Sequence, residues 1–211
     1  MSHETELKLL LSDIDERDRI AQALGKRVAR VEQSNAYFDT EDDALSRHRW
    51  AVRVRHSNDQ TVLTLKGEGR SDGEFTVRVE LERTLAADAW PLAIRGELDV
   101  AAELESLLTE AGHALPADVD LSSLEKLGVM SNIRSVFPLK GTALMVELDE
   151  TEYPDFSLRY EAELEVPDGE DRDAGVRALR EVFDEAQVPW RPSTESKYAR
   201  FRESLSGIAS G

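Results

Sequence analysis

The chain has 211 residues, of which 40% are hydrophobic and 33% are charged, a composition typical of one globular domain. Its net charge of −17 argues against broad binding to nucleic acid or anionic lipid, because both require a basic surface. The sequence contains no cysteine and no run of about 18 apolar residues, so disulfides, thiolate metal sites and membrane-spanning helices are not expected. The N-terminal segment lacks the features of a secretory signal. We therefore expect a soluble cytoplasmic protein.

Alternating polar and apolar residues predict a strand from Glu4 to Leu10, and an apolar stripe then predicts a short helix that ends at Gly25. The strand pattern returns four times in the next part of the chain. These segments are Asn35–Asp39, Trp50–Arg55, Thr61–Lys66 and Thr76–Glu82. A glycine-rich stretch, residues 67–73, joins the last two and is typical of a hairpin connection.

Residues 85–127 carry leucines at helical spacing, which predicts a helical insertion. Three strands and two helices then follow. The strands are Ser131–Leu139, Ala143–Glu150 and Ser157–Val166, and the helices are Asp171–Gln187 and a short one that opens at Ser193. Because each group of strands is too small to stand alone, we expect one α+β domain, residues 1–205, whose single sheet closes or nearly closes. Residues 206–211 are expected to form a frayed tail.

Charged residues are concentrated on one face of each predicted strand, since side chains two residues apart share a face. The acidic candidates are Glu4, Glu6, Glu80, Glu82, Glu147, Asp149, Glu161, Glu163 and Glu165. The basic candidates are Lys8, Arg53, Arg55, Lys66, Arg78 and Arg134, to which the last helix adds Lys197. A sheet with one solvated face would also alternate in this way. However, like charges recur on each face and the acidic and basic strands are separate, which favours opposite walls of one cavity.

The chemistry of such a cavity follows from its residue types. Carboxylates without histidine or cysteine select a hard cation that prefers oxygen ligands, so Mg²⁺ is expected, with Mn²⁺ as the alternative. Lysine and arginine on the facing wall suit phosphate oxygens. The sequence therefore predicts a site for a metal-bound polyphosphate.

These residues also resemble the motifs of a known family. Glu4-Thr5-Glu6-Leu7-Lys8 is similar to the ExExK signature of the CYTH domain, found in the triphosphate tunnel metalloenzymes. Further elements follow in the family's order along the whole chain. They are Tyr37-Phe38-Asp39-Thr40, Val52-Arg53-Val54-Arg55, Thr64-Leu65-Lys66, Arg78-Val79-Glu80, Arg134, Glu147-Leu148-Asp149, Tyr160-Glu161-Ala162-Glu163 and Ser196-Lys197-Tyr198.

The resemblance implies an eight-stranded antiparallel β-barrel that forms a tunnel, with peripheral helices and a helical insertion. It also implies roles for individual residues, with Glu4, Glu6 and Lys8 at the catalytic centre. The implied metal ligands are Glu4, Glu6, Glu147, Asp149, Glu161 and Glu163. The implied substrate-binding residues are Lys8, Arg53, Arg55, Lys66, Arg78, Arg134 and Lys197. Glu80, Glu82 and Glu165 are expected to support the metal ligands from behind.

The resemblance implies a metal-dependent triphosphatase that acts on inorganic triphosphate or on thiamine or nucleoside triphosphate. Two alternatives stay open: a class IV-type adenylyl cyclase, and a non-catalytic module that binds polyphosphate. The expected partner is the small-molecule triphosphate, with neither nucleic acid nor a membrane expected and with a homodimer left open.

Overall fold

The computed structural model describes residues 2–209, which form nine strands and six α-helices. The first half contains β1 (Ser2–Leu11), α1 (Ile14–Leu24), β2 (Ala29–Thr40), α2 (Ala44–Arg47), β3 (Ala51–Ser57), β4 (Gln60–Lys66), β5 (Arg70–Asp72) and β6 (Phe75–Thr84). The second half contains α3 (Ala89–Arg95), α4 (Val100–Ala111), a 3-10 turn (Leu121–Ser123), β7 (Leu124–Pro138), β8 (Met145–Glu152), β9 (Leu158–Glu165), α5 (Arg172–Ala186) and α6 (Lys197–Ala209).

Eight of the strands close into an antiparallel barrel, as the sequence predicted. Their order is β1-β9-β8-β7-β2-β3-β4-β6, and β6 pairs back onto β1 so that the ring closes. The short strand β5 pairs with β6 outside this ring order. The closing register sets Glu4 opposite Arg78, while the β1–β9 register sets Lys8 opposite Glu163. Closure thus brings residues from distant parts of the chain together without a free sheet edge.

The apolar faces of the strands point outward, where helices cover them. On one side, β1, β8 and β9 contribute Leu7, Leu9, Val146 and Leu164 to a core cluster that includes α1 and α5. On another side, the outer faces of β3 and β4 pack with α3 and α4 around Leu104. Because the helices take the apolar faces, the alternation along each strand turns the charged faces into the barrel.

Helix α6 lies against the barrel where β2 ends and β3 begins. Tyr198 and the fully buried Phe201 pack with Tyr37 and Met130 in a third cluster. Gly128 allows this approach, because a Cβ atom at this position would lie 3.3 Å from the Phe201 ring. The helix begins at Lys197 and continues to Ala209, beyond residue 206 where a frayed tail was expected. Residues 210–211 of that expected tail lie outside the described residues.

Two strands extend beyond the segments that the sequence predicted. β2 begins at residue 29 rather than 35, and β7 begins at residue 124 rather than 131. The two strands pair with each other along their full lengths, with an irregularity between Tyr37 and Phe38. Their mutual pairing, rather than local alternation, sets these bounds. Among residues 2–209, every helix is too short or too polar to cross a bilayer.

Candidate active site

The inward-facing residues line one cavity of about 820 Å³ inside the barrel. Ten basic and eight acidic side chains form its wall, although the whole chain carries a net charge of −17. The ring order explains how the charges are distributed, because β9 lies four strands away from β3 in either direction. The carboxylates of β1, β8 and β9 therefore face the arginines of β3 across the barrel. The charge balance of the cavity wall thus differs in sign from that of the whole chain.

The two carboxylates of β1 form ion pairs with basic side chains of β4 and β6, the strands that follow β1 across the ring closure. The Lys66 Nζ atom donates to both carboxylate oxygens of Glu4 at 2.8 Å. Arg78 donates from Nε to Glu4 at 2.7 Å and from Nη2 to Glu6 at 2.6 Å. Burial opposes ionisation of Glu4, but the charges of Lys66 and Arg78 outweigh it and hold the pKa of Glu4 well below its usual range. Arg78, predicted to bind substrate, therefore bridges the two carboxylates in this structure.

A second group of carboxylates surrounds Arg134. Its Nη2 atom donates to Glu163 at 2.7 Å and to Asp149 at 2.6 Å, and Nη1 pairs with Glu147. The Lys8 Nζ atom lies 3.5 Å from Glu163 and 3.6 Å from Glu6, so it links the two carboxylate groups. Burial opposes ionisation of Glu163, but nearby lysines and Arg134 hold its pKa well below the ordinary value.

Two carboxylates of this wall hold their protons more strongly than usual. Burial raises the pKa of Glu147 to about 7, and the charges of Glu163 and Asp149 add to the shift while Arg134 opposes it. Partial burial, followed by the charges of Glu4 and Glu80, raises the pKa of Glu165. Burial is thus the main cause of both shifts, and repulsion from neighbouring carboxylates adds to it.

The arginines of the facing wall have few carboxylates close to them. Arg53 is 9% exposed, its Nη2 atom lies 3.6 Å from Glu80, and its Nε atom has no hydrogen-bond partner among the described residues. Arg55 donates from Nε to the Asn35 side chain at 3.3 Å. Burial lowers the pKa of Arg55 to about 10, and the charges of Arg53 and Arg134 contribute to the shift. The two arginines thus form a buried cationic surface with unused donors, which suits an anion with several oxygens.

Two residues predicted as metal ligands do not line the cavity. Asp149 is fully buried and accepts hydrogen bonds from Arg134 and Asn132. Glu161 is 1% exposed and contacts Lys197 and Arg200 of α6. Both lie behind the wall because cationic side chains stand between them and the cavity. Glu80, Glu82 and Glu165, expected to support the ligands from behind, line the cavity instead.

Most of the other predicted residues come together as expected. The structure brings the following to the cavity wall: Glu4, Glu6, Lys8, Arg53, Arg55, Lys66, Arg78, Arg134, Glu147, Glu163 and Lys197. Sequence reasoning missed the polar residues that β2 and β7 add to the wall, namely Gln33, Asn35 and Asn132. Gln33 and Asn35 are two residues apart and share a face of β2, and this alternation could have identified both of them. Arg200 was also missed, although it lies one helical turn after Lys197.

The donor set fits a hard divalent cation. Among the described residues, no three acidic or histidine side chains are grouped as they would be around one ion. The carboxylates of β1 and β9 are paired with lysine and arginine instead, as for Glu4 and Glu163. The acidic side chains of the wall nevertheless offer only oxygen ligands, and the described residues that line the cavity include neither histidine nor cysteine. Such a donor set suits a hard divalent cation, whose charge would also offset the repulsion that Glu147 experiences from Glu163 and Asp149.

Comparison with known proteins agrees with this geometry. The Hippeastrum protein HpAC1, described as an adenylyl cyclase candidate with a dominant triphosphatase activity, is 26% identical, with a TM-score of 0.78 and 95% of each chain covered. An adenylate cyclase candidate from Bacillus halodurans is 23% identical, with a TM-score of 0.68, over 95% of this chain and 99% of the other. A protein from Pyrococcus horikoshii OT3 is 19% identical, with a TM-score of 0.60, over 95% and 98% of the two chains.

The last two similarities show a shared fold. No curated protein sequence matches the chain. The profile of the CYTH domain matches residues 2–201, which include every strand of the barrel and the start of α6. The chain therefore belongs to the CYTH domain family.

Proposed function

We propose that this protein is a divalent-metal-dependent triphosphatase that hydrolyses inorganic triphosphate or an organic triphosphate inside the barrel. One observation carries the proposal: arginines of β3 with unused donors face the carboxylates of β1, β8 and β9 across one cavity. A triphosphate bound through metal ions needs both surfaces. Basic side chains bind some of its oxygens, and carboxylates hold the metal ions that bind others. The cavity, at about 820 Å³, is large enough to enclose the reacting phosphates.

The residues divide into two functional groups. Arg53, Arg55, Lys66 and Arg134 would hold the phosphate oxygens, Arg53 and Arg55 with the least competition from carboxylates. The metal would be held by carboxylates at the cavity wall. These are Glu4, Glu6, Glu147, Glu163 and Glu165. When bound, a divalent cation supplies charge neutralisation for the phosphates and activation of water, with Mg²⁺ expected and Mn²⁺ as the alternative.

The chain's own groups contribute positioning and electrostatic stabilisation. Lys66 and Arg78 keep Glu4 ionised, so that the carboxylate can serve as a ligand. Arg53 and Arg55 project from the same face of β3, where their guanidinium groups can stabilise the negative charge of the substrate. No covalent nucleophile is required, because phosphoryl transfer to water proceeds by in-line attack with charge stabilisation.

Hydrolysis is favoured over cyclisation by the similarity to HpAC1, whose dominant activity is that of a triphosphatase. A cyclase would have to place the α-phosphate rather than the terminal phosphate at the reacting position. The assay must therefore distinguish both reactions from simple binding.

The test is to incubate the protein with inorganic tripolyphosphate, thiamine triphosphate or ATP, in Mg²⁺ or in EDTA, and to measure phosphate, pyrophosphate and cyclic AMP. We expect phosphate release that requires the metal. Pyrophosphate with cyclic AMP would show a cyclase instead, and binding without turnover would show a polyphosphate-binding module. Glu6→Gln should reduce the rate at least about 100-fold, as expected for loss of a catalytic metal ligand. Glu185→Gln, an exposed carboxylate on α5, removes the same charge and should leave the rate unchanged.

A further inference from the structure

Asp39 is a fully buried carboxylate on the side of β2 that faces into the barrel. It lies two residues after Tyr37, which lines the cavity, so the two side chains share a face of the strand. Tyr198 and Arg202 of α6 contact Asp39 and themselves line the cavity. Asp39 is therefore covered by α6, and the family resemblance implied no role for it.

Backbone groups around the start of α2 hold the Asp39 carboxylate. Its Oδ1 atom accepts from the backbone N–H groups of Thr40 at 2.8 Å and Leu45 at 3.0 Å, and Oδ2 accepts from the N–H group of Ser46 at 3.1 Å. The first N–H groups of a helix have no partner within the helix. The N-cap residue Asp43 makes no capping hydrogen bond with its side chain, so Asp39 caps α2 instead. These backbone donors fix the carboxylate in place.

The same carboxylate binds α6. The Tyr198 hydroxyl donates to Oδ2 at 2.9 Å, and the Arg202 Nη1 atom donates to the same oxygen at 3.4 Å. Residues 198 and 202 are four apart and therefore lie on one face of the helix. Burial, followed by the charge of Asp39, raises the pKa of Tyr198, so the hydroxyl keeps the proton that it donates. Asp39 thus joins β2, α2 and α6 at one point.

Lys197, next to Tyr198 in the chain, is the residue through which this junction can affect the substrate. Its Nζ atom lines the cavity and lies 2.6 Å from Glu163 and 2.8 Å from Asp149. These contacts hold only the tip of a flexible side chain with four methylene groups. A phosphate bound at Lys197 would replace some of them. The reach of the ammonium group would then depend on where the backbone of residue 197 is fixed.

We propose that Asp39 is a positioning residue that holds the first turn of α6 through the Tyr198 hydroxyl and so sets where the Lys197 ammonium meets substrate phosphate. Asp39 touches neither the substrate nor the metal in this assignment. The inference rests on the proposed function, since the family resemblance assigns Lys197 to the phosphates of the substrate. Because Asp39 acts through Lys197, its contribution to anion binding disappears when the lysine is replaced.

A double-mutant cycle between Tyr198 and Lys197 tests this dependence. Tyr198→Phe removes the hydroxyl that Asp39 binds and keeps the ring that packs against Tyr37. Binding of inorganic tripolyphosphate in EDTA is measured by calorimetry for the wild type, Tyr198→Phe, Lys197→Met and the double variant. We expect Tyr198→Phe to weaken binding roughly tenfold alone and no more than about twofold in the Lys197→Met background. An equal loss in both backgrounds would overturn the proposal, because the hydroxyl would then act independently of Lys197.

Asp39→Asn tests the carboxylate itself. The amide keeps the size of the side chain but offers one acceptor oxygen to donors from two helices. We expect it to weaken binding as Tyr198→Phe does, and adding Tyr198→Phe to it should cost no more than about twofold further, whereas additive losses would contradict the proposal. Tyr160→Phe is the matched control, since it removes a tyrosine hydroxyl from the outer face of β9 and should leave binding unchanged. If circular dichroism shows that Asp39→Asn does not fold, the cycle of Tyr198 and Lys197 decides the proposal.

Steady-state kinetics separate positioning from a purely structural role. A lysine that binds phosphate equally in the ground state and the transition state contributes to KM, so Tyr198→Phe should raise KM for tripolyphosphate roughly tenfold and change kcat by no more than about twofold. A fall in kcat that matches the loss of folded protein, with KM unchanged, would refute the inference alone. If the wild type binds tripolyphosphate without turnover, the triphosphatase is refuted, and the binding cycle still decides the role of Asp39.

Discussion

Removal of Arg53 is the most informative perturbation of the site, because this arginine is buried yet has few partners. Its Nη2 atom lies 3.6 Å from Glu80, and its Nε atom is unpaired among the described residues. Arg53→Gln keeps a polar, though shorter, side chain and removes the charge. A charge-assisted hydrogen bond to phosphate is worth about 1.5–3 kcal/mol, so we expect the Kd for tripolyphosphate to rise roughly 10- to 150-fold.

The same substitution should not destabilise the fold. Arg55 shares the face of β3 with Arg53, about 6.6 Å along the strand, and two unit charges at that separation repel by roughly 2.5 kcal/mol at an effective dielectric of about 20. Solvent in the cavity reduces this value. The lowered pKa of Arg55 reports the repulsion after the larger effect of burial. We therefore expect the free energy of unfolding of Arg53→Gln to equal or exceed that of the wild type.

The assay combines calorimetric titration with tripolyphosphate and urea denaturation. Arg19→Gln is the matched control, since Arg19 is exposed on α1 and its loss changes the net charge by the same amount. If Arg19→Gln weakened binding as much as Arg53→Gln, the affinity would reflect overall charge rather than this wall. A Kd unchanged by Arg53→Gln, or a large loss of stability, would refute the assignment of Arg53 as an anion ligand.

Two further predictions concern stability. Arg191 pairs with Glu16 and lowers the pKa of Glu16 to about 2 from 4.5, so Glu16→Gln should lower the free energy of unfolding by about 1–2 kcal/mol at pH 7. The pKa is lower in the folded state, so the contribution is present above pH 4.5; urea denaturation should show the difference from wild type disappearing as the pH falls towards 2. Gly175→Ala should destabilise by about 1–3 kcal/mol, because its Cβ atom would lie 2.6 Å from the buried Leu144. Gly207→Ala meets nothing within 4 Å, and the same denaturation assay should show a gain of up to about 1 kcal/mol; a loss of similar size in both variants would contradict the packing argument.

The composition of the strand faces was predictable from the sequence. Side chains alternate along any extended strand, so Glu4, Glu6 and Lys8 had to share one face and Leu7 and Leu9 the other. The separation of acidic and basic strands predicted opposed walls, whereas the structure also places Lys8, Arg134 and Lys197 among the carboxylates. The motif order predicted the family and the closed barrel, both of which are confirmed.

Local sequence could not decide how deeply each residue sits in the barrel. Glu161, Glu163 and Glu165 have the same alternation, so the sequence treats them alike. The β1–β9 register sets them opposite Leu10, Lys8 and Glu6 in turn, and α6 covers the end at Leu10. Glu161 is therefore enclosed while Glu165 reaches the cavity. Charge, burial and access depend on this register, which only the folded chain defines.

The pairing of β6 with β1, which closes the ring, also could not be predicted from the sequence. Arg78 has the residue type and alternation of a phosphate ligand, yet β6 closes the ring beside β1 and sets Arg78 opposite Glu4. The sequence by itself thus determined which side chains share a face and what chemistry they offer. The tertiary structure decided which of them meet, because the helices cover the apolar faces and the ring closure joins strands that are far apart in the chain.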